Sequence, residues 1–179
     1  MHRPQSPVTV PYAATVTDGS ARLAELEEIK QLKARYCRLL DTKKWAEWRM
    51  LFADDFRSDT SPAGGKLIVG ADDFVAFTRR SVGERATVHQ VHAPEIEFTS
   101  TTTARAIWAL EDVVRLAPGV NLRGYGHYHE TYEKVDGQWY FTSSTLTRIR
   151  EDIFNMLTSV YLSDRIKKAA GAVARRLVR

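Results

Sequence analysis

Asp41 and four strand-borne histidines are the groups in this chain whose types and spacing suit proton transfer. Asp41 lies in Arg38-Leu39-Leu40-Asp41-Thr42-Lys43-Lys44-Trp45, where one amphipathic helix ends and a Trp-rich one begins. An acid at such a junction has two uses. It can cap the second helix, its carboxylate accepting from orphan backbone N–H groups. Alternatively it points inward and holds one ring nitrogen of a histidine brought from a distant strand, leaving the other nitrogen as a general base.

The histidines fall in two strand-like segments, His89 and His92 in the first, His127 and His129 in the second. His89 and His92 differ in parity, so one face receives at most one of them unless Pro94 or a bulge resets the register. His127 and His129 share a face, and such a pair could ligate a metal. With no second pair at ligand spacing and no supporting cysteine, an outward solvated face is the favoured reading, and no metal is expected. In Ala104-Arg105-Ala106-Ile107-Trp108-Ala109-Leu110-Glu111-Asp112 the even positions are apolar except Asp112, so a buried face carries one carboxylate. An unpaired buried carboxylate costs roughly several kcal/mol, so Asp112 must be paired, hydrated or protonated. A structural ion pair and a catalytic role stand level at this point.

Other chemistries lack their motifs. The chain has no phosphate-binding glycine loop, no G-x-S-x-G elbow and no dinucleotide fingerprint. Gly124 and Gly126 alternate inside a strand and indicate close backbone approach or a strong bend. Acid–base work by Asp, His, Arg and Tyr, without a cofactor, is what remains.

Two blocks of elements must position these groups. Leu26, Ile29, Leu32, Tyr36 and Leu40 recur at helical spacing, predicting a helix from about Ser20, with Ser20 as its N-cap. A second helix carries Trp45, Trp48, Leu51 and Phe52. Residues 54–59 then lead into a loop containing Pro62, Gly64 and Gly65, and a short third helix follows over 70–77. After Gly83 the period becomes two, and four strand segments are separated by hairpin-length connections at 101–103, Pro118-Gly119 and Asp136-Gly137. Helices followed by an antiparallel meander predict an α+β fold, with helices packed on one face of a curved sheet. The expected organisation is a flexible arm over 1–19, one domain over 20–152, and a helical extension over 153–179 that is basic at its end.

Composition bounds the rest. With 179 residues, 44% apolar and 10% aromatic, the chain can bury a sizeable single core. One cysteine, Cys37, excludes an internal disulfide framework and falls within the first helix, where a buried apolar role is expected. No stretch suits a bilayer span or a secretion signal, and the cytoplasm is the expected location. Residues 165–179 hold six of the 26 basic side chains and no acid, so the +4 net charge conceals a body of about −2. That tail could touch nucleic acid or anionic lipid, but no aromatic residue interleaves its charges, and a solvated helical face is favoured. Ile153, Leu157, Val160, Ile166, Val173 and Leu177 can share one helical face, as a lid, a subunit contact or a peripheral anchor, with lid or subunit packing favoured for its first half.

The run RYCRLLDTKKWAEWRMLFADDFRSD, then GADDFVAF, TVHQVH, ARAIWALED and HYHETYEKVDGQWYF, resembles the SnoaL-like proteins of the nuclear-transport-factor-2-like superfamily across about residues 22–152. That resemblance implies a cone: a strongly bent antiparallel sheet around a cavity, closed by helices. The nearest likeness is to the scytalone dehydratase and bile-acid 7α-dehydratase branch, which includes hexachlorocyclohexane dehydrochlorinase. It implies an Asp–His dyad at Asp41 and His89, with Trp45 at the family's spacing. Asp112 resembles a polar cavity position that handles a departing hydroxyl if it holds a proton. Arg148, or Arg150 if a bulge shifts the register, resembles a late-strand arginine that steadies negative charge. Tyr36, Leu40, Thr60, Trp108, Leu110 and Tyr128 are the implied substrate-contacting positions.

Leu40 and Thr60 stand where scytalone dehydratase has tyrosines, which favours a more apolar, polycyclic or terpenoid-like ligand. The implied activity is a cofactor-independent elimination, with isomerisation, cyclisation, or a non-catalytic role such as a dioxygenase small subunit as alternatives. A homo-oligomer, trimer before dimer, is the implied assembly; nucleic acid and stable membrane insertion are not expected.

Overall fold

The structure, a computed structural model, describes residues 16–155 and 157–161. Helix α1 (Val16–Asp41) buries Ile29, Leu32, Tyr36 and Leu40 along the predicted stripe and Leu39 beside it, with Leu26 half-buried. It starts before Ser20, so Ser20 lies inside the helix, and residues 16–19 belong to it rather than to an arm. At the other end Lys44 N–H donates to Leu39 C=O and Lys43 N–H to Leu40 C=O, the paired bonds of a Schellman turn. The left-handed residue of that turn is Lys43, at φ 60°, where glycine is the usual occupant.

Helix α2 (Trp45–Arg49) and strand β1 (Phe52–Asp59) come next. Strand β1 occupies residues expected to lead into a loop. Phe52, Phe56 and Ser58 are buried while Asp54, Asp55 and Arg57 face solvent, and the acidic run masked this alternation. A single 3₁₀ turn (Ser61–Ala63) and strand β2 (Leu67–Val69) lead to α3 (Ala71–Val82).

Strands β3 (Thr87–Phe98), β4 (Thr103–Ala117), β5 (Val120–Val135) and β6 (Gln138–Phe154) form the predicted antiparallel meander. The full order is β2-β1-β6-β5-β4-β3, with β1 parallel to β6, and the sheet remains open between its ends. The segment after Ile153 departs from the helical expectation. Asn155 accepts from the Leu157 and Thr158 N–H groups and closes a tight turn, after which β7 (Ser159–Tyr161) pairs with β6. The rest of that extension, and residues 1–15, lie outside the described residues.

Helices and sheet meet in one aromatic core. Tyr36 packs against the rings of Trp48, Phe52 and Phe141, and Phe56 and Phe74 extend the cluster from Phe52 and Trp48, which fixes the C-terminal half of α1 over the inner face of the sheet. Among the described residues no helix is long and apolar enough to cross a membrane.

Candidate active site

Strand parity decides which side chains reach the inner face. In β4 the even residues Ala104, Ala106, Trp108, Leu110 and Asp112 are buried, and in β5 Gly124, Gly126, Tyr128, Glu130 and Tyr132 are. In β3, Thr87, His89 and Val91 turn inward, and a register shift between His92 and Glu95 follows. His92 is therefore on the outer face. His127 and His129 lie on the outer face of β5, their ring centroids 6.3 Å apart, and no metal-ligating cluster occurs among the described residues.

Register then aligns one row across the inner face: His89 opposite Asp112, and Asp112 opposite Gly124. Asp41 meets this row from the end of α1. Its Oδ1 lies 2.7 Å from His89 Nδ1 and accepts from Thr87 Oγ1 at 2.9 Å, while Oδ2 accepts the His89 backbone N–H at 2.8 Å. Both oxygens are thus turned to β3. Capping is not their work: the N-cap of α2 is Lys44, and it has no side-chain cap bond. The His89 side chain is 9% exposed and that of Asp41 21%. With Nδ1–H donating to Asp41, the neutral ring presents its lone pair at Nε2.

Asp112 does not stand unpaired. Arg148 grips it through two bonds, Nη1 to Oδ1 at 3.1 Å and Nη2 to Oδ2 at 2.6 Å. A bulge between Tyr125 and Gly126 takes Ile149 as its extra residue, leaving Arg148 inward and placing Arg150 beside Asp152. Since both Asp112 oxygens accept from the guanidinium, the geometry suits a carboxylate that aims Arg148 better than one that donates a proton.

This ion pair spans β4 to β6 and passes over β5 at Gly124, while the β6 backbone lies against Gly126. A Cβ on Gly124 would lie 2.3 Å from Arg148 Nη1 and 2.4 Å from Asp112 Oδ1; one on Gly126 would lie 1.9 Å from the Thr147 carbonyl oxygen. The two substitutions should therefore separate. Gly126→Ala must move backbone and is expected to cost about 2–4 kcal/mol in urea unfolding. Gly124→Ala can be absorbed by side chains, at about 1–2 kcal/mol, but it splits the Asp112–Arg148 pair. Equal stability losses, or an intact pair in a structure of Gly124→Ala, would contradict this account.

The implied substrate-contacting residues divide. Tyr36 and Tyr128 are buried, with ring centroids 6.1 Å apart. Burial pushes both phenols well above their ordinary pKa, and Glu130 beside Tyr36, and Tyr36 and Asp112 beside Tyr128, push the same way. Each phenol therefore keeps its proton and can donate. Leu40 and Leu110 are buried on the same inner side. Trp108 is engaged elsewhere, its Nε1 donating to the Tyr132 hydroxyl at 2.8 Å. Thr60 is not brought to the row: its hydroxyl bonds the backbone of Lys66 and latches the loop after β1. Cys37 is buried, and burial pushes its thiol up to about 11, as an inert core residue requires.

Four side chains received no role from sequence reasoning. Thr87 holds the second bond to Asp41 Oδ1, and Lys43 Nζ donates to Thr87 Oγ1 at 2.6 Å. Lys33 and Glu130 form a fully buried ion pair at 2.6 Å behind the tyrosines.

A SnoaL-like domain matches residues 21–145. The probable cyclase FGR4 of Gibberella zeae is 27% identical over 133 residues, which span 68% of this chain and 89% of that protein. Among solved structures, a candidate scytalone dehydratase from Novosphingobium aromaticivorans superposes with a TM-score of 0.69 at 23% identity, covering 82% of this chain and 97% of the other. The LinA-type3 hexachlorocyclohexane dehydrochlorinase from Novosphingobium barchaimii does so with a TM-score of 0.66 at 18% identity, covering 82% and 95%. At these identities the structural likeness establishes the fold, an α+β cone.

Proposed function

The chain belongs to the SnoaL-like domain family, and on that premise we propose that it is a lyase that eliminates water from an apolar, polycyclic or terpenoid-like molecule, using His89 as its base. One observation carries the reading: Asp41 holds His89 Nδ1 at 2.7 Å within a largely buried row that ends in Arg148. In the proposed step Nε2 takes a proton from carbon next to a carbonyl. Negative charge gathers on the carbonyl oxygen, where the Arg148 guanidinium and the protonated Tyr36 and Tyr128 hydroxyls stabilise it. The electron pair then forms the C=C bond as the C–O bond breaks, and the hydroxyl leaves as water with the proton from the imidazolium. This sequence is redox-neutral and needs no cofactor.

Asp41 stabilises the imidazolium that forms between the two half-steps. Leu40 and Leu110 support an apolar ligand, because no hydroxyl or charge at those positions would reward a polar one. The FGR4 likeness favours cyclisation as the second reading, since removal of the same proton can start ring closure. The test is incubation with hydroxylated steroid, polyketide and terpenoid ketones, followed by mass spectrometry. A product lighter by one water supports elimination; an isomeric product supports cyclisation or double-bond movement. Preference for small polar acids, or no product from any apolar ketone, would sink both.

A further inference from the structure

Lys43 has no part in the reaction above, yet its ammonium points back at the dyad. Nζ donates to Thr87 Oγ1 at 2.6 Å, and Thr87 Oγ1 donates to Asp41 Oδ1 at 2.9 Å, the oxygen that also receives His89 Nδ1. A hydroxyl has one proton to give. With that proton on Asp41, Thr87 can only accept from Lys43, so donation runs from Lys43 through Thr87 to Asp41 Oδ1, where it meets the bond that His89 Nδ1–H donates.

On the reading of Asp41 and His89 as a base, we propose that Lys43, acting through Thr87, is a positioning residue that keeps His89 neutral and able to accept a proton at a lower pH than Asp41 alone would permit. A carboxylate bonded to Nδ1 favours the imidazolium, which cannot act as a base. Asp41 is also the last residue of a 26-residue helix, whose negative end adds to that bias. An ammonium behind the carboxylate opposes both, through a hydroxyl polarised to donate more strongly.

Backbone conformation adds an independent sign. Lys43 holds φ 60°, a left-handed conformation that glycine would adopt without steric cost. A charged, β-carbon-bearing residue at that place aims its side chain toward Thr87, which is 5% exposed. The surroundings of Lys43 are Asp41 and Glu84, which favour its charge, and the Trp45 ring, 5.9 Å from Nζ; partial burial opposes the charge and outweighs the two acids. Those facing the dyad are Thr87, Asp112 opposite His89 with Arg148 beyond it, and buried Tyr36 and Cys37, whose protons the Asp41 charge helps retain.

The sign follows. Removing the Lys43 charge, or the hydroxyl that relays it, raises the pKa of His89, so base function is lost at higher pH as acid is added. We would follow the imidazole nitrogens of the full ¹⁵N-labelled chain by NMR at low ionic strength, assigning His89 by its absence in His89→Gln. Lys43→Met and Thr87→Val are each expected to raise the His89 pKa by about 0.5–1 pH unit, while Lys43→Arg and Thr87→Ser stay within about 0.3 of the parent. A lysine that merely completes the turn would alter melting temperature and leave this titration in place. An unchanged or lowered His89 pKa in both Lys43→Met and Thr87→Val overturns the proposal. The titration needs no substrate, so failure of every compound in the ketone panel would count against the lyase reading alone.

Discussion

Replacing His89 by alanine is expected to lower turnover by about 10²–10⁴-fold with the fold retained, the span that positioned general-base catalysis contributes. Its side chain is 9% exposed and forms its hydrogen bond with Asp41, so truncation leaves Asp41 with the Thr87 and backbone bonds it already has. Asp41→Asn is the sharper test. An amide offers one oxygen and one NH₂. If the oxygen serves Thr87 and the ring, the NH₂ faces the His89 backbone N–H, donor against donor, and stability falls by about 1–3 kcal/mol. If the amide flips, the NH₂ donates to Nδ1 and forces the ring proton onto Nε2, the atom that must accept. The first leaves the Nε2 lone pair in place but removes the charge that stabilises the imidazolium, the second removes the base itself, and a loss of about 10³–10⁴-fold is expected. Circular dichroism and turnover on the ketone that yields product would check both variants. A tenth of the parent activity in Asp41→Asn would end the assignment of His89 as base.

Much of this site is legible in the sequence because strand parity is a strict rule. A period of two placed Asp112 on the buried face of β4 and separated His89 from His92, and both followed in three dimensions. The alternating Gly124 and Gly126 signalled close approach, but not what approached, which is the Asp112–Arg148 pair over Gly124 and the β6 backbone at Thr147 against Gly126. Strand β1 was hidden by Asp54 and Asp55, which advertise a loop while Phe52 and Phe56 keep the alternation beneath them. The helical reading of residues 153–161 failed for a related reason. Ile153, Leu157 and Val160 fit a helical stripe, but Asn155 turns the chain locally, and a short apolar stretch suits either period.

The relay and the buried pair were legible in part. Lys33 sits on the apolar stripe of α1, between Ile29 and Tyr36, and Glu130 has the inward parity of β5 beside Tyr128 and Tyr132. Two opposite charges on two buried faces could have been matched. Lys43 could not: its role depends on a left-handed turn that no residue type announced.

Lys33→Met is the substitution expected to cost most stability. Lys33 Nζ lies 2.6 Å from Glu130 Oε1 with both side chains at 0% exposure, and it rests on the rings of Tyr128 at 3.8 Å and Tyr36 at 4.3 Å. Methionine would fill the space but leave the Glu130 charge buried with only the Tyr132 and Ser144 hydroxyls to support it. Removing one partner of a buried pair costs about 3–5 kcal/mol, which urea unfolding resolves readily. The double variant Lys33→Met with Glu130→Gln removes both charges and keeps an acceptor for the Tyr132 hydroxyl. It is expected to recover more than half of the loss, because a neutral replacement of a buried pair is often as stable as the pair. Activity should not recover in step. Lys33 precedes Asp41 by about 12 Å of the same helix, and its bond to β5 is a polar fix on how that helix lies over the sheet. Apolar packing alone lets α1 shift by fractions of an ångström, which the 2.7 Å Asp41–His89 bond does not tolerate. A double variant that is stable yet turns over at least tenfold more slowly would assign the pair to placing Asp41. One that regains both would leave the pair only a contribution to folding.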